Sequence, residues 1–260
     1  MEKETSIIAV ATHKGGAAKT QTAFELSFWL ARKGKRICII DTDSQANMTD
    51  LLLAGSPPKG RCLPEIIFED HGIDQTDIMC RDFGKGIKVD FICNNANAAR
   101  LEARLPSNGA PKEYIMTDLL VQIKGKYDYI LIDTPPASEL LSMSSANAAD
   151  GIIIPALPDA HSYEGVRSTL KIINTIQCNP RLNPNLKVLG IIVGRYHPTR
   201  VNKLYLELII SEFGDLVVSP PIRECTRVQQ AICAKLPVLL FDPTCAAATD
   251  YNSAFNSISL

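Results

Sequence analysis

The residues best suited to chemistry in this chain are the run Lys14, Gly15, Gly16, Ala17, Ala18, Lys19 and Thr20, followed by Gln21. A glycine pair lets backbone approach an anion closely, and successive N–H groups at the start of a helix form a cradle for phosphate. In such a cradle Lys19 is placed to neutralise β- and γ-phosphates, and the Thr20 hydroxyl to hold Mg²⁺. Two acids stand in comparable places. Asp133 ends the apolar run ILID, where a nucleotide site holds a magnesium-bound water, and Asp41 opens DTDSQAN, where a carboxylate can orient an attacking water. A Gly-Gly turn is also ordinary loop punctuation, and a strand-terminal Asp is also a helix cap. Their coincidence is what points to nucleotide chemistry.

The elements needed to position these groups are legible as continuous apolar runs. Residues 7–11 (IIAVA) read as a strand that ends in the glycine loop, and residues 19–32 follow with Ala23, Leu26, Phe28 and Leu30 at helical spacing. Residues 36–40 (RICII), 88–92, 129–132 (YILI), 152–154 and 188–193 (VLGIIV) repeat the strand form, with a weaker candidate at 216–218. Continuous apolar strands separated by helices predict an α/β fold: a doubly wound, mainly parallel sheet with helices on both faces. Right-handed crossovers then bring the carboxyl ends of the strands to one edge, where ligands bind. The glycine loop, Asp41–Asp43 and the segment 133–136 all fall on that edge.

The chain has 260 residues, 46% hydrophobic and 21% charged, enough for a full core without disulfides or metals. No linker, repeat or low-complexity tract marks a boundary, so residues 1–260 are read as one domain. The net charge is −1, but residues 181–235 hold eight basic and four acidic residues, a local excess of +4. The eight cysteines are scattered, with no C-x-x-C pair, and most are expected to be small buried hydrophobes. Neither a signal peptide nor an apolar run long enough to span a membrane is present, which places the chain in the cytoplasm.

The order KGG-x-x-KT, IIDTDSQAN, ILIDTPP and ADGIIIPALPDAHSYEGV resembles the ParA/MinD branch of P-loop ATPases, from about Ser6 to Phe255. This branch departs from the ordinary phosphate loop by a lysine at its start. The resemblance implies that Lys14 crosses a homodimer interface to the partner's ATP, that Lys19 and Thr20 bind phosphate and Mg²⁺, that Asp41 activates water and that Asp133 supports the metal. MinD-like members end in a basic amphipathic membrane helix, whereas the tail AATDYNSAFNSISL has no Lys or Arg, which argues against a membrane partner. IDTPPASELLSM lacks the cysteine that iron-protein relatives use for a cluster. The segments GRYHPTRVNKLYLELI and PPIRECTRVQQAICAKLPVLLFDP resemble those of ParA proteins, where arginines hold DNA nonspecifically. This implies DNA contacts by Arg227, with Arg223, Arg200 and Lys203 as further candidates. A ParB-like adaptor that stimulates hydrolysis is implied too, with nucleoid association when ATP is bound. The chain begins almost at its first strand, so the operator-reading domain of longer plasmid members is not expected.

Three departures bear on turnover. The family writes KGG-x-GKT with a hydroxyl residue next, but this chain has Ala18 and Gln21, and Ser44 stands where the family has proline. If position 18 needs glycine-like torsions, its methyl costs on the order of 1 kcal/mol; if the torsions are helical, it is harmless. The Gln21 amide retains a donor for the nucleotide. ATP binding with slow turnover is the expectation. The alternatives are a static nucleotide-binding scaffold, favoured by Ala18, and an ATP-dependent metabolic or metal-insertion enzyme, which paired cysteines would favour.

Overall fold

Seven strands form one sheet in the order β3-β4-β2-β5-β1-β6-β7. They are β1 (Ser6–Val10), β2 (Ile37–Asp41), β3 (Ile78–Asp82), β4 (Lys88–Ile92), β5 (Tyr129–Asp133), β6 (Gly151–Ala156) and β7 (Lys187–Val193). The computed structural model describes residues 5–69, 72–101, 112–135 and 140–260. All pairings are parallel except β3 with β4.

The strands read from sequence are buried on both faces, as their unbroken apolar runs require. Ile8, Val10, Ile39 and Leu131 face one layer, with helix α1 (Lys19–Ala31) and the C-terminal helix against them; Ile7, Ala9, Ile40 and Ile132 face the other. The remaining described helices are α2 (Asn47–Leu53), α3 (Leu63–Glu69), α4 (Ile115–Val121), α5 (Leu140–Ala148), α6 (Ala160–Cys178), α7 (Arg200–Phe213), α8 (Thr226–Cys233), α9 (Val238–Phe241) and α10 (Ala246–Ser257). α1 is covered almost all round, with Phe24, Leu26, Phe28 and Trp29 buried and Trp29 edge-on to Phe255 of α10 at 5.7 Å.

Two expectations need correction, and one strand was not read from sequence. Strand β3 is an antiparallel edge strand in which only Met79 of the five residues is buried, so its apolar residues stop at Cys80. The expected strand at 216–218 is a 3-10 turn (Gly214–Leu216) followed by one parallel bridge between Ile191 and Val217; Pro220 and Pro221 follow at once and cannot donate to a ladder. Of the cysteines, only Cys38, Cys62 and Cys93 are buried, while Cys80, Cys178 and Cys233 are exposed and Cys225 and Cys245 half-buried. No described helix is long and apolar enough to cross a membrane.

One buried acid ties the phosphate-loop helix to its neighbour α9 in the same layer. Glu25 of α1 is fully buried and caps α9, accepting the Val238 N–H at 2.7 Å and the Leu239 N–H at 3.2 Å, while Gln21 Nε2 donates to it at 2.6 Å. Burial pushes its carboxyl up to about 8, against the opposing pull of those donors. A carboxyl whose folded pKa is raised favours the folded state below its unfolded value of 4.5, and that contribution is lost as pH climbs towards 8. Between pH 5 and 8 the wild type should therefore lose stability relative to Glu25→Gln by up to about 1 kcal/mol per pH unit. Urea unfolding of both proteins across that window tests it, and parallel curves would refute it.

Candidate nucleotide site

The pairing of β1, β5 and β2 aligns Val10, Asp133 and Asp41 at one level, and the loops that follow these strands meet there. Hydroxyls bind the strand ends together: Thr42 Oγ1 donates to the Asp133 carbonyl at 2.8 Å and Thr134 Oγ1 to that of Val10 at 2.9 Å. The loop after β1 turns through Gly16 (φ 76°) and Ala18 (φ 63°) into α1. A Cβ at Gly15 or Gly16 would meet no protein atom within 4 Å. The glycines relieve no internal crowding; they leave the concave side of the loop open, as an anion cradle requires. The loop lines a cleft of about 600 Å³ with Asp43, Asn47, Arg195 and Ile232 among its other walls, a size suited to a small-molecule ligand.

Behind the Lys19–Thr20 wall of this cleft lie two buried carboxylates. Asp41 is well solvated by protein: Thr49 N–H and Oγ1 donate to its Oδ2 at 2.8 and 2.7 Å, and Asp43 N–H to its Oδ1 at 3.1 Å. Burial nevertheless pushes it up to about 6. Asp133 is fully buried with neither oxygen in a well-formed hydrogen bond. Burial first, and the Asp41 charge second, drive its carboxyl well above the usual range; the Thr20 hydroxyl and the Lys19 ammonium offset only part of this. An orphaned carboxylate beside a hydroxyl is the donor set of a hard cation, so Thr20 and Asp133 fit Mg²⁺. Lys19 is buried, and its Nζ donates to the Lys14 carbonyl at 3.4 Å.

Lys14 points away from this centre. Its Nζ donates to both oxygens of Asp159 at 3.0 and 3.1 Å and to Ser162 Oγ at 3.3 Å. Asp159 caps α6 by accepting the Ser162 N–H at 2.7 Å. Its burial raises the carboxyl's pKa, but that N–H and the Lys14 ammonium outweigh the effect and hold it below its ordinary value.

The AAA domain family matches residues 5–188. The chromosome partitioning protein ParA of Caulobacter vibrioides is 30% identical over 250 residues, covering 94% of this chain and 90% of that protein. The chain belongs to the ParA family of P-loop ATPases. A Mycobacterium smegmatis cobyrinic acid a,c-diamide synthase with bound ATP analogue and magnesium is 26% identical, with a TM-score of 0.79 over 95% of this chain and 91% of that one. Cyanothece McdA without nucleotide, 21% identical, shares the fold with a TM-score of 0.84 over 97% of this chain and 98% of that one.

The structure brings Gly15, Gly16, Ala18, Lys19, Thr20 and Gln21 to one cleft wall; Asp41 and Asp133 are buried and do not line the cleft, Asp133 lying behind Thr20 and Lys19. Residues 136–139, part of the third loop read on this edge, lie outside the described residues. Two expectations about the departures from the ParA pattern are sharpened. Ala18 is left-handed, so its torsions are glycine-like rather than helical. Of the two N–H donors of the Gln21 amide, one is committed to Glu25, and its Oε1 is buried without a partner.

The basic candidates divide into two kinds. Arg223 makes a two-pronged contact with Asp250, Nε to Oδ2 and Nη2 to Oδ1 at 2.8 Å each, and Asp250 is buried. Arg227 pairs with Asp242 at 3.2 Å. Arg200 and Lys203 are exposed and, among the described residues, make no ion pair. The residue missed from sequence is Arg195, which follows β7 on the cleft wall with φ 49°. The same strand-end rule that selected Asp41 and Asp133 would have found it.

A non-glycine residue in the left-handed region costs roughly 1 kcal/mol. Ala18→Gly should therefore raise Tm by about 2–4 °C. Calorimetric melting checks this, and an unchanged or lower Tm would show that the loop holds Ala18 without strain.

Proposed function

We propose that this ParA-family chain is an ATP-hydrolysing switch: ATP closes a homodimer, the dimer holds DNA nonspecifically, and a ParB-like adaptor stimulates hydrolysis and release. The cargo, a plasmid, chromosome or other assembly, is thereby partitioned or positioned. The observation that carries the nucleotide part is the orphaned Asp133 carboxylate beside Thr20 and Lys19 at the foot of an open glycine loop.

In this reading the amides of residues 15–20 and the Lys19 ammonium hold the β- and γ-phosphates. Thr20 and Asp133 would hold Mg²⁺, which when bound supplies positive charge against the phosphate oxygens. Asp41, fixed by Thr49 and Asp43, orients the attacking water. Lys14 reaches across the dimer to the partner's phosphates and must first leave Asp159. That ion pair is partly exposed, 27% and 38% for the two side chains, so leaving it costs at most about 1 kcal/mol. Arg227, Arg223, Arg200 and Lys203 supply phosphate contacts to DNA without reading bases. The protein works as one domain in the cytoplasm, on the nucleoid when ATP-bound, with no membrane partner.

A second reading is a nucleotide-binding scaffold with weak or no hydrolysis. Ala18 favours it, since its left-handed torsions strain the phosphate loop.

Titration calorimetry should show Mg-ATP binding by the wild type and its loss in Lys19→Ala; no binding by the wild type would sink the nucleotide reading. DNA binding should need ATP, fall with rising salt, and weaken in Lys14→Ala and Arg227→Glu. DNA binding indifferent to nucleotide and to both substitutions would refute the switch while leaving the scaffold.

A further inference from the structure

The cysteines, scattered in sequence, meet in pairs in the fold. Cys62 and Cys93 share a thiol hydrogen bond, but both are buried away from solutes. Cys225 and Cys245 are different: each is half-buried, and the two are neighbours, Cys225 standing close enough to act on the Cys245 thiol. Three links lace the segment 223–227 to 242–250 in reversed order. Arg223 binds Asp250 at 2.8 Å, Cys225 faces Cys245, and Arg227 binds Asp242 at 3.2 Å. The outer ion pairs hold the two backbones in register, which keeps the thiols opposed.

Each cysteine is also the N-cap of a helix, Cys225 of α8 and Cys245 of α10, and neither uses its side chain for a capping hydrogen bond. Cys225 further lines a small cavity shared with Gln21, Arg195, Val228 and Tyr251, so a small solute reaches it. Burial, with Cys225 alongside, pushes the Cys245 thiol up. The two sulfurs thus have different parts to play, Cys225 as the one that meets an oxidant from solution and Cys245 as its resolving partner.

We propose that Cys225 and Cys245 form a reversible dithiol–disulfide site, oxidised by a peroxide, that clamps the start of α8 to the start of α10. The Cys225 sulfur attacks a peroxide oxygen; the O–O bond breaks, giving a sulfenic acid and one water. The Cys245 sulfur then attacks the Cys225 sulfur, the S–S bond forms, the S–O bond breaks, and a second water leaves with the Cys245 proton. The thiols lose two electrons and hydrogen peroxide gains them; a small dithiol reverses the change. Ile232 of α8 stands on the wall of the nucleotide cleft, so the clamp fixes one side of that cleft. The inference rests on the thiols and their flanking ion pairs, whether or not the cleft turns over ATP.

The full chain, treated with hydrogen peroxide at neutral pH, is to be mapped by non-reducing peptide mass spectrometry. The expected product links Cys225 to Cys245, is removed by dithiothreitol, and is absent from Cys225→Ser and Cys245→Ser. Amide exchange across residues 226–241 should then be several-fold slower in the oxidised than in the reduced protein. Oxidation that stops at a Cys225 sulfinic acid, or links Cys225 elsewhere, overturns the site. A Cys225–Cys245 disulfide with unchanged exchange overturns the clamp.

Discussion

The pairing of β2 with β5 sets Asp41 directly beside Asp133 at the buried ends of two strands, and the site is organised around holding two carboxylates there. Their environments are unequal. Asp41 accepts three hydrogen bonds, whereas Asp133 has none of good geometry. Like charges in close contact cannot both stay ionised without compensation, and the better-solvated member keeps its charge. Asp133 is then the member that takes a proton or a cation. Lys19, a buried lysine drawn in beside it, is the partial answer the chain itself supplies. A divalent ion on Thr20 and Asp133 would complete it, so the electrostatics of the strand ends and the shape of the glycine loop call for the same ligand.

The loop is coupled to the rest of the cleft through α1. Gln21 faces the cleft and donates to Glu25, and Glu25 holds the start of α9 by two backbone N–H groups. The loss of the family's hydroxyl at position 21 is thus not an isolated change at the nucleotide: it adds a hydrogen-bonded link, through Glu25, between the phosphate loop and the segment after α8. Ala18 acts locally instead. Its left-handed torsions strain the turn, and it lines the cleft beside Gly15 and Gly16.

The parallel strands and the residues on their carboxyl ends were legible because continuous burial writes itself as continuous apolar sequence, and the crossover rule then fixes the edge. Gly15, Lys19, Thr20, Asp41 and Asp133 follow from that alone. Three kinds of feature were not legible. Strand β3 is an edge strand whose three apolar residues, Ile78 to Cys80, give way at once to Arg81 and Asp82, so no long run marks it. Ala18's torsion is a property of the turn and leaves no trace in residue type. The contacts of Lys14 with Asp159, Arg223 with Asp250 and Cys225 with Cys245 join positions far apart in sequence, and no local pattern encodes them.

Those long-range contacts change what the local excess of +4 means. Arg223 and Arg227 already have carboxylate partners, and that of Arg223 is buried. A DNA phosphate at Arg223 would have to share the guanidinium with Asp250 or displace it, and displacement would strand a buried charge. Arg227 is less committed, because both members of its pair keep access to solvent, 52% and 25% exposed. Arg200 and Lys203 start α7 just beyond the loop that bridges Tyr196 to Arg223, and they carry no such cost. In the proposed DNA-bound state the net gain from phosphate would fall to Arg200 and Lys203 first, then to Arg227, while Arg223 would contribute chiefly by anchoring the segment that presents Arg227.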